Sequence, residues 1–346
     1  MPGSAWLLAF LVAGTAGPGT SMSAASPNAG VAQTRTGTAL APVGASFISS
    51  SRGYLLGDYA CNGRPAGSSP CLALARTENG GTSWHFRPVP SVKFFWGLSA
   101  EAEHVPRSVS AIDFANAQDG YLYGPGLEVT SSDGGSWETA ALGEVAELTT
   151  AEGYAYVLTT SSNEHGEQLP TLWRASLGSD AWSKVALPVT SAVYRLFSGD
   201  DEVLLLQLGA DVGFNYPGPA GRIWLTTTDG DGWRAVASPC QPGLDGSAAS
   251  LALSPDKPAR WVVDCQLDRQ SSQAMDVEHR IFVTTNAGRT WSSAGTAAPR
   301  GTDAALAWNG SDDFLLATQS AGDQTGARGG PSWRCPPSPA AFSMRS

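Results

Sequence analysis

Five segments of the chain run from a strand-like stretch, through small polar residues and glycine, to a tryptophan. They are RTENGGTSWHF (76–86), TSSDGGSWET (130–139), TTTDGDGWRAV (226–236), VTTNAGRTWSS (283–293) and GARGGPSWRC (326–335). A weaker copy, LWRASLGSDAWSKV (172–185), stands between the second and third. The closing residues Trp84, Trp137, Trp182, Trp233, Trp291 and Trp333 are spaced 53, 45, 51, 58 and 42 apart. Repeats of this length match a four-stranded blade. One blade cannot bury both of its faces, so several must stack.

Each repeat has the same internal order of short β-rich runs bounded by Gly, Asp, Asn and Ser. The fifth is AASLAL (248–253), RWVVDC (260–265), HRIFVTT (279–285) and TWSSA (290–294). The 40 glycines and 23 prolines leave little room for long helices. The expectation is an all-β chain, a β-propeller of six four-stranded antiparallel blades over residues 43–335, with an irregular tail at 336–346. Seven blades stay open. The last repeat lacks a clear third strand, and VAQTRTGTALA (31–41) is a candidate closing strand.

The turn chemistry explains the repeated segment. Asn286 or Asp133 accepts hydrogen bonds from following amides. Gly288 or Gly135 permits positive φ, Thr284 or Ser131 bonds across the loop, and Trp291 or Trp137 packs on the blade. A structural clip outweighs metal binding, because Asn replaces Asp at Asn79 and Asn286 and a hard cation tolerates that poorly.

These segments resemble the Asp-box, or BNR, repeat, Ser/Thr-x-Asp-x-Gly-x-Thr-Trp. Thr77-x-Asn79-x-Gly81-x-Ser83-Trp84 and Thr284-x-Asn286-x-Gly288-x-Thr290-Trp291 fit at full length. Ser131-x-Asp133-x-Gly135-Ser136-Trp137 and Thr227-x-Asp229-x-Asp231-Gly232-Trp233 are one residue short, and the last copy has Arg328 at the Asp position. Ser46–Gly57 and Ala111–Gly124 also resemble the blade openings of photosystem II assembly factor-like propellers. The resemblance implies a fold shared by sialidases, some glucanases and non-enzymatic propellers.

A sialidase would carry an Arg-Ile-Pro segment before the first box, three arginines for the substrate carboxylate, and a Tyr/Glu nucleophile pair. No Arg-Ile-Pro occurs in the sequence. Asp113, Glu147 and Asp303 fall on or near inner strands, where a glycosidase would need two carboxylates at defined separation. Arg195 is a candidate channel-lining residue. His85, His104, His165 and His279 show no metal-ligand spacing, so neither metal nor other cofactor is expected.

Strand parity puts the long segments 58–70, 161–170, 209–221 and 266–278 at the end opposite the tryptophan loops, with the linkers 90–109 and 238–247. Loops on a rigid scaffold are the usual recognition surface. Phe94, Phe95 and Trp96 in VKFFWGL, and Phe214 and Tyr216 in GFNYPGP, are the candidate binding aromatics. Folding back as a hydrophobic lid is the alternative.

Residues 1–30 read as a signal peptide and leader. Ala5–Ala13 is apolar and small residues follow, although no Lys or Arg precedes the run. An extracellular or envelope location suits the cysteines: Cys61–Cys71 and Cys240–Cys265 are the expected local disulfides, with Cys335 left over. Reduced, buried thiols are the alternative. With 21 basic and 31 acidic residues the net charge is -10, which disfavours nucleic acid as partner. No membrane span is expected in the mature chain. The functional expectation is non-catalytic recognition of a protein or a glycan, with a glycoside hydrolase as the alternative.

Overall fold

The computed structural model describes residues 41–59, 71–94, 108–164, 168–190, 193–199, 202–208, 222–227, 232–240, 247–254, 256–267, 278–294, 303–308, 313–319 and 341–345. The chain divides into two compact units, Met1–Leu187 and Pro188–Ser346.

The first unit contains three four-stranded antiparallel sheets in simple chain order. The first is Ala41–Phe47, Gly53–Tyr59, Cys71–Thr77 and His85–Arg87; the second is Ala111–Phe114, Gly120–Tyr123, Leu127–Thr130 and Glu138–Thr139. The third is Glu144–Ala151, Tyr154–Ser162, Gln168–Ser176 and Ser183–Val185. The second unit repeats the pattern. Its fourth sheet is Val193–Ser198, Glu202–Leu208, Arg222–Thr227 and Arg234–Val236, and its fifth is Ser247–Leu253, Trp261–Leu267, Glu278–Thr284 and Ser292–Ser293. A two-stranded parallel pair, Lys93–Phe94 with Ser108–Val109, precedes the second sheet.

The second strands of the fourth and fifth sheets are apolar without alternation, the pattern of strands buried on both faces. Val203, Leu204, Leu205 and Leu206 are all fully buried, and so are Trp261, Val262 and Val263. In the fifth sheet one set of side chains packs on the preceding sheet and the next set on the following sheet. Leu204, Leu206, Trp261 and Val263 share a core between the fourth and fifth sheets. Val262, Ile281, Leu306, Trp308 and Phe314 share the next. In the first unit, Tyr54, Leu56, Ile112 and Phe114 join the first two sheets. Tyr121, Val129, Leu148 and Val157 join the second and third. Fourth strands are short and largely exposed, for example His85, Phe86, Glu138 and Ser292.

Three expectations change here. The sixth sheet has three strands, Asp303–Trp308, Asp313–Gln319 and Ala341–Arg345. The 336–346 tail is therefore not wholly irregular. AFSMR supplies a strand, and Phe342 pairs with Leu316 and Met344 with Phe314. Segment 161–170 is mostly hairpin, because Ser161 pairs with Leu169 and Ser162 with Gln168. The signal-peptide region 1–30 and the candidate closing strand 31–41, apart from Ala41 itself, lie outside the described residues.

Candidate functional site

The tryptophan loops are built from one hydrogen-bond pattern. In the first sheet, Thr77 Oγ1 accepts from the amides of Asn79 and Gly81 at 3.3 and 2.9 Å. Asn79 Oδ1 accepts from the Ser83 amide at 2.9 Å, and Asn79 Nδ2 donates to Ser83 Oγ at 2.9 Å. The fifth sheet repeats it with Thr284, Asn286, Gly288 and Thr290. Two consecutive residues take positive φ, Gly80 and Gly81 at 64° and 86°, Ala287 and Gly288 at 53° and 74°. A Cβ on Gly288 would lie 2.2 Å from Val236, so glycine is needed there for space as well as for φ.

The second loop runs one residue earlier than the Ser131-Asp133-Gly135 reading. Thr130 Oγ1 accepts from the amides of Ser132 and Gly134, and Ser132 Oγ accepts from the Ser136 amide at 2.9 Å. The motif is Thr130-x-Ser132-x-Gly134-x-Ser136-Trp137, at full length. A serine hydroxyl can accept the loop's amide as a carboxylate would, which lets Ser132 stand at the acidic position. Ser131 and Gly135 are spacers. Of the fourth loop, Asp229 lies outside the described residues, and Trp233 closes it just before Arg234–Val236.

Asp133 does different work. It sits at φ 60°, where Asp is better tolerated than most residues. Its carboxylate faces three guanidiniums of the first sheet. Arg76 and Arg87 each donate to Oδ2, Arg52 lies 3.8 Å away, and the Tyr54 hydroxyl donates to Oδ1. Arg76 also donates to Glu78. This ionic knot joins the first and second sheets, and nothing in the local sequence pattern announces it.

Two further carboxylates are buried within the packing. Asp113 lies on the first strand of the second sheet. It receives the hydroxyls of Ser46 and Thr150, from the first strands of the first and third sheets, at 3.4 and 3.5 Å. These bonds are long, and burial wins over them, pushing the carboxyl from 3.8 up to about 6. The Tyr123 phenol is raised by burial first and by Asp113 and Glu147 after it. Asp264 pairs with His279 Nδ1 at 2.9 Å with both side chains fully buried, and burial raises its carboxyl against the opposing pull of His279. Among the described residues, no three His, Cys, Asp or Glu side chains converge as metal ligands.

Asp113 gives a testable pH dependence. Its folded value lies above the unfolded one, so its favourable contribution is complete below about pH 4 and is lost as pH rises through about 6. Asp113→Asn is expected to gain on the wild type by about 2 kcal/mol between pH 4.5 and pH 8. Urea unfolding at the two pH values checks it. A difference that does not change with pH sinks the assignment.

Phe94 falls in the short parallel pair as backbone only. Phe95, Trp96, Phe214 and Tyr216 lie outside the described residues, as do Cys61, His104, His165 and Cys335. The Cys240–Cys265 disulfide is formed, with an S–S distance of 2.00 Å. Cys71 is disulfide-bonded as well. Such bonds belong to an oxidising compartment. No helix among the described residues is long and apolar enough to cross a membrane.

No protein-family model and no curated sequence matches the chain. Among solved structures, it is similar to a GH74 xyloglucanase from Xanthomonas campestris, at 14% identity and TM-score 0.50, covering 80% of this chain and 45% of that one. It is also similar to a GH74 enzyme from Niastella koreensis, at 14% and 0.48, covering 73% and 38%. YCF48 bound to D1 peptide gives 13% and 0.49, covering 86% and 97%. The chain thus spans less than half the length of the two GH74 enzymes. At these identities the likeness concerns the fold alone, repeated four-stranded antiparallel sheets.

Proposed function

We propose that the chain is an exported β-propeller whose loop end recognises a protein or a glycan, with the tryptophan loops acting as Asp-box turns that hold its blades. The observation that carries this reading is the placement of the disulfides. Cys265 lies two residues before the end of the second strand Trp261–Leu267, and Cys71 opens the third strand Cys71–Thr77. Within each unit the bond braces the strand end from which long segments leave: 11 residues between Tyr59 and Cys71 in the first, and 13 and 10 residues between Leu208 and Arg222 and between Leu267 and Glu278 in the second. The opposite end is closed by compact hydrogen-bonded loops. A stiffened rim carrying long segments suits recognition, because ordering costs are lowered before a partner arrives.

The test is binding of the mature protein to a glycan panel and to cross-linked surface proteins of its host. Replacing Phe95 and Trp96 by Ser is expected to abolish binding with little change in Tm. A large fall in Tm would mean that these aromatics are a hydrophobic lid.

Asp113 favours a second reading, a glycoside hydrolase. A carboxyl at about 6 is suited to donate a proton near neutral pH, and Asp113 and Glu147 both act on the Tyr123 phenol. Release of reducing sugar from soluble glycans, lost in Asp113→Asn, would put this reading in place of the first.

A further inference from the structure

The tryptophan loop of the first sheet carries a chemically reactive pair. Asn79 is followed by Gly80, and both are exposed to water. Among the described residues, no other asparagine precedes a glycine. The second loop has Ser132 and Asp133 at these places and holds no side-chain amide. The fifth has Asn286 and Ala287, within the same set of hydrogen bonds. Asparagine amides are labile because the side-chain carbonyl lies within reach of the next residue's backbone nitrogen. Glycine at that next place leaves the attack uncrowded and the backbone free to turn.

The folded loop restrains this chemistry without removing it. The Gly80 amide donates to the Ser51 carbonyl at 2.8 Å, so the attacking nitrogen has its proton engaged. Asn79 Oδ1 accepts from the Thr77 hydroxyl at 3.0 Å and from the Ser83 amide at 2.9 Å, and Nδ2 donates to Ser83 Oγ at 2.9 Å. Thr77 Oγ1 accepts in turn from the amides of Asn79 and Gly81. Ring closure therefore needs the loop to open. Exposed loops open locally at far lower cost than the core.

We propose that Asn79 is a self-modification site, deamidating to aspartate at a rate set by the opening of its own loop. The Gly80 nitrogen forms a bond to Asn79 Cγ, and the bond from Cγ to Nδ2 breaks. Nδ2 leaves as ammonia with the proton that Gly80 gave up, and a succinimide ring remains. Water then opens the ring at one of its two carbonyls, giving aspartate or isoaspartate. Aspartate fits the closed loop. Its Oδ1 still accepts from the Ser83 amide, and Ser83 Oγ turns to donate where it accepted. It also places a carboxylate at the acidic position of the Asp-box pattern. Isoaspartate adds a carbon to the main chain between Thr77 and Ser83. That spoils the spacing set by Gly80 and Gly81 at φ 64° and 86°. The change is one-way, adds a negative charge, and is independent of what the opposite loop end recognises.

The test follows residues 79 and 286 in the oxidised full-length protein held at mildly alkaline pH. Peptide mapping by mass spectrometry reads the conversion, and isoaspartyl methyltransferase distinguishes the two products. A urea-unfolded sample gives the unrestrained rate. Asn79 is expected to convert in the folded protein, more slowly than in urea and with a larger share of aspartate, while Asn286 lags behind it in both. Thr77→Val keeps the β-branched shape and removes the hydroxyl. It should speed the folded conversion about fivefold and leave the rate in urea unchanged. Ala287→Gly, at φ 53° where glycine is at ease, should raise Asn286 to the rate of Asn79. This second variant decides the matter if Thr77→Val fails to fold. The proposal is overturned if Asn79 stays an amide in the folded protein while the urea sample converts completely. It is equally overturned if Asn79 and Asn286 convert at one rate, or if folded and unfolded chains do.

Discussion

Replacing Asp133 by Asn is expected to destabilise the Met1–Leu187 unit by about 2–3 kcal/mol. The substitution keeps size, tolerance of φ 60° and an oxygen for the Tyr54 hydroxyl. It removes the one charge that Arg76, Arg87 and Arg52 share. The side chains of Arg76 and Asp133 are only 14% and 18% exposed, so water replaces the lost partner poorly. Arg52 and Arg87 are 29% and 32% exposed, which holds the expected loss below that of a fully buried pair. Without the carboxylate the three guanidiniums also repel one another, and only Arg76 keeps an acidic contact, to Glu78. Urea unfolding followed by far-UV circular dichroism measures the effect, and 1 M salt should narrow the gap between variant and wild type. A loss under about 0.5 kcal/mol would show that the knot is a surface ornament. Asp133→Ala should lose more, because alanine at positive φ adds about 1 kcal/mol of backbone cost.

That knot marks a boundary of what the sequence discloses. The repeat was legible because strands, turn and tryptophan are local, and spacing plus turn chemistry encode them directly. The partners of Asp133 lie 46 to 81 residues away, in another sheet, and no periodicity links Arg52, Arg76 and Arg87 to it. The same residue also drew the motif out of register. An acid at position 133 invites alignment on the carboxylate, whereas the constant interval from threonine to tryptophan points to Thr130 and Ser132. That interval was readable: 77 to 84, 130 to 137 and 284 to 291. The third strand of the sixth sheet escaped for another reason. Ala341–Arg345 pairs with a strand that ends at Gln319, so a long connection separates two elements that the other sheets place close together. The buried state of Asp113 depends on hydroxyls from two flanking sheets, and a pattern of short strands does not specify which inner residues meet.

Removing the second disulfide is the other change with a large expected effect. Cys240 and Cys265 close 25 residues of sequence. Loop-closure entropy puts the loss at about 3.5 kcal/mol for the pair Cys240→Ala and Cys265→Ala. Both sulfurs are buried in the core that joins the fourth and fifth sheets, with Leu204, Leu206, Ile223 and Leu251. Alanine leaves that core apolar, so the loss reports chiefly the broken link with a smaller packing term. Hydrogen exchange of the Trp261–Leu267 amides should accelerate together with the fall in urea midpoint. A double variant as stable as the wild type would mean that the link follows folding rather than supporting it. The magnitude bears on where the chain works. Small domains keep about 5–15 kcal/mol in reserve, so a chain reduced at this site would give up a large share. Adding dithiothreitol to the wild type should cost at least as much as the double variant, because it opens the Cys71 disulfide too. The same chain held in a reducing compartment should then be markedly less stable than its oxidised form, which ties the core of the second unit to an oxidising environment.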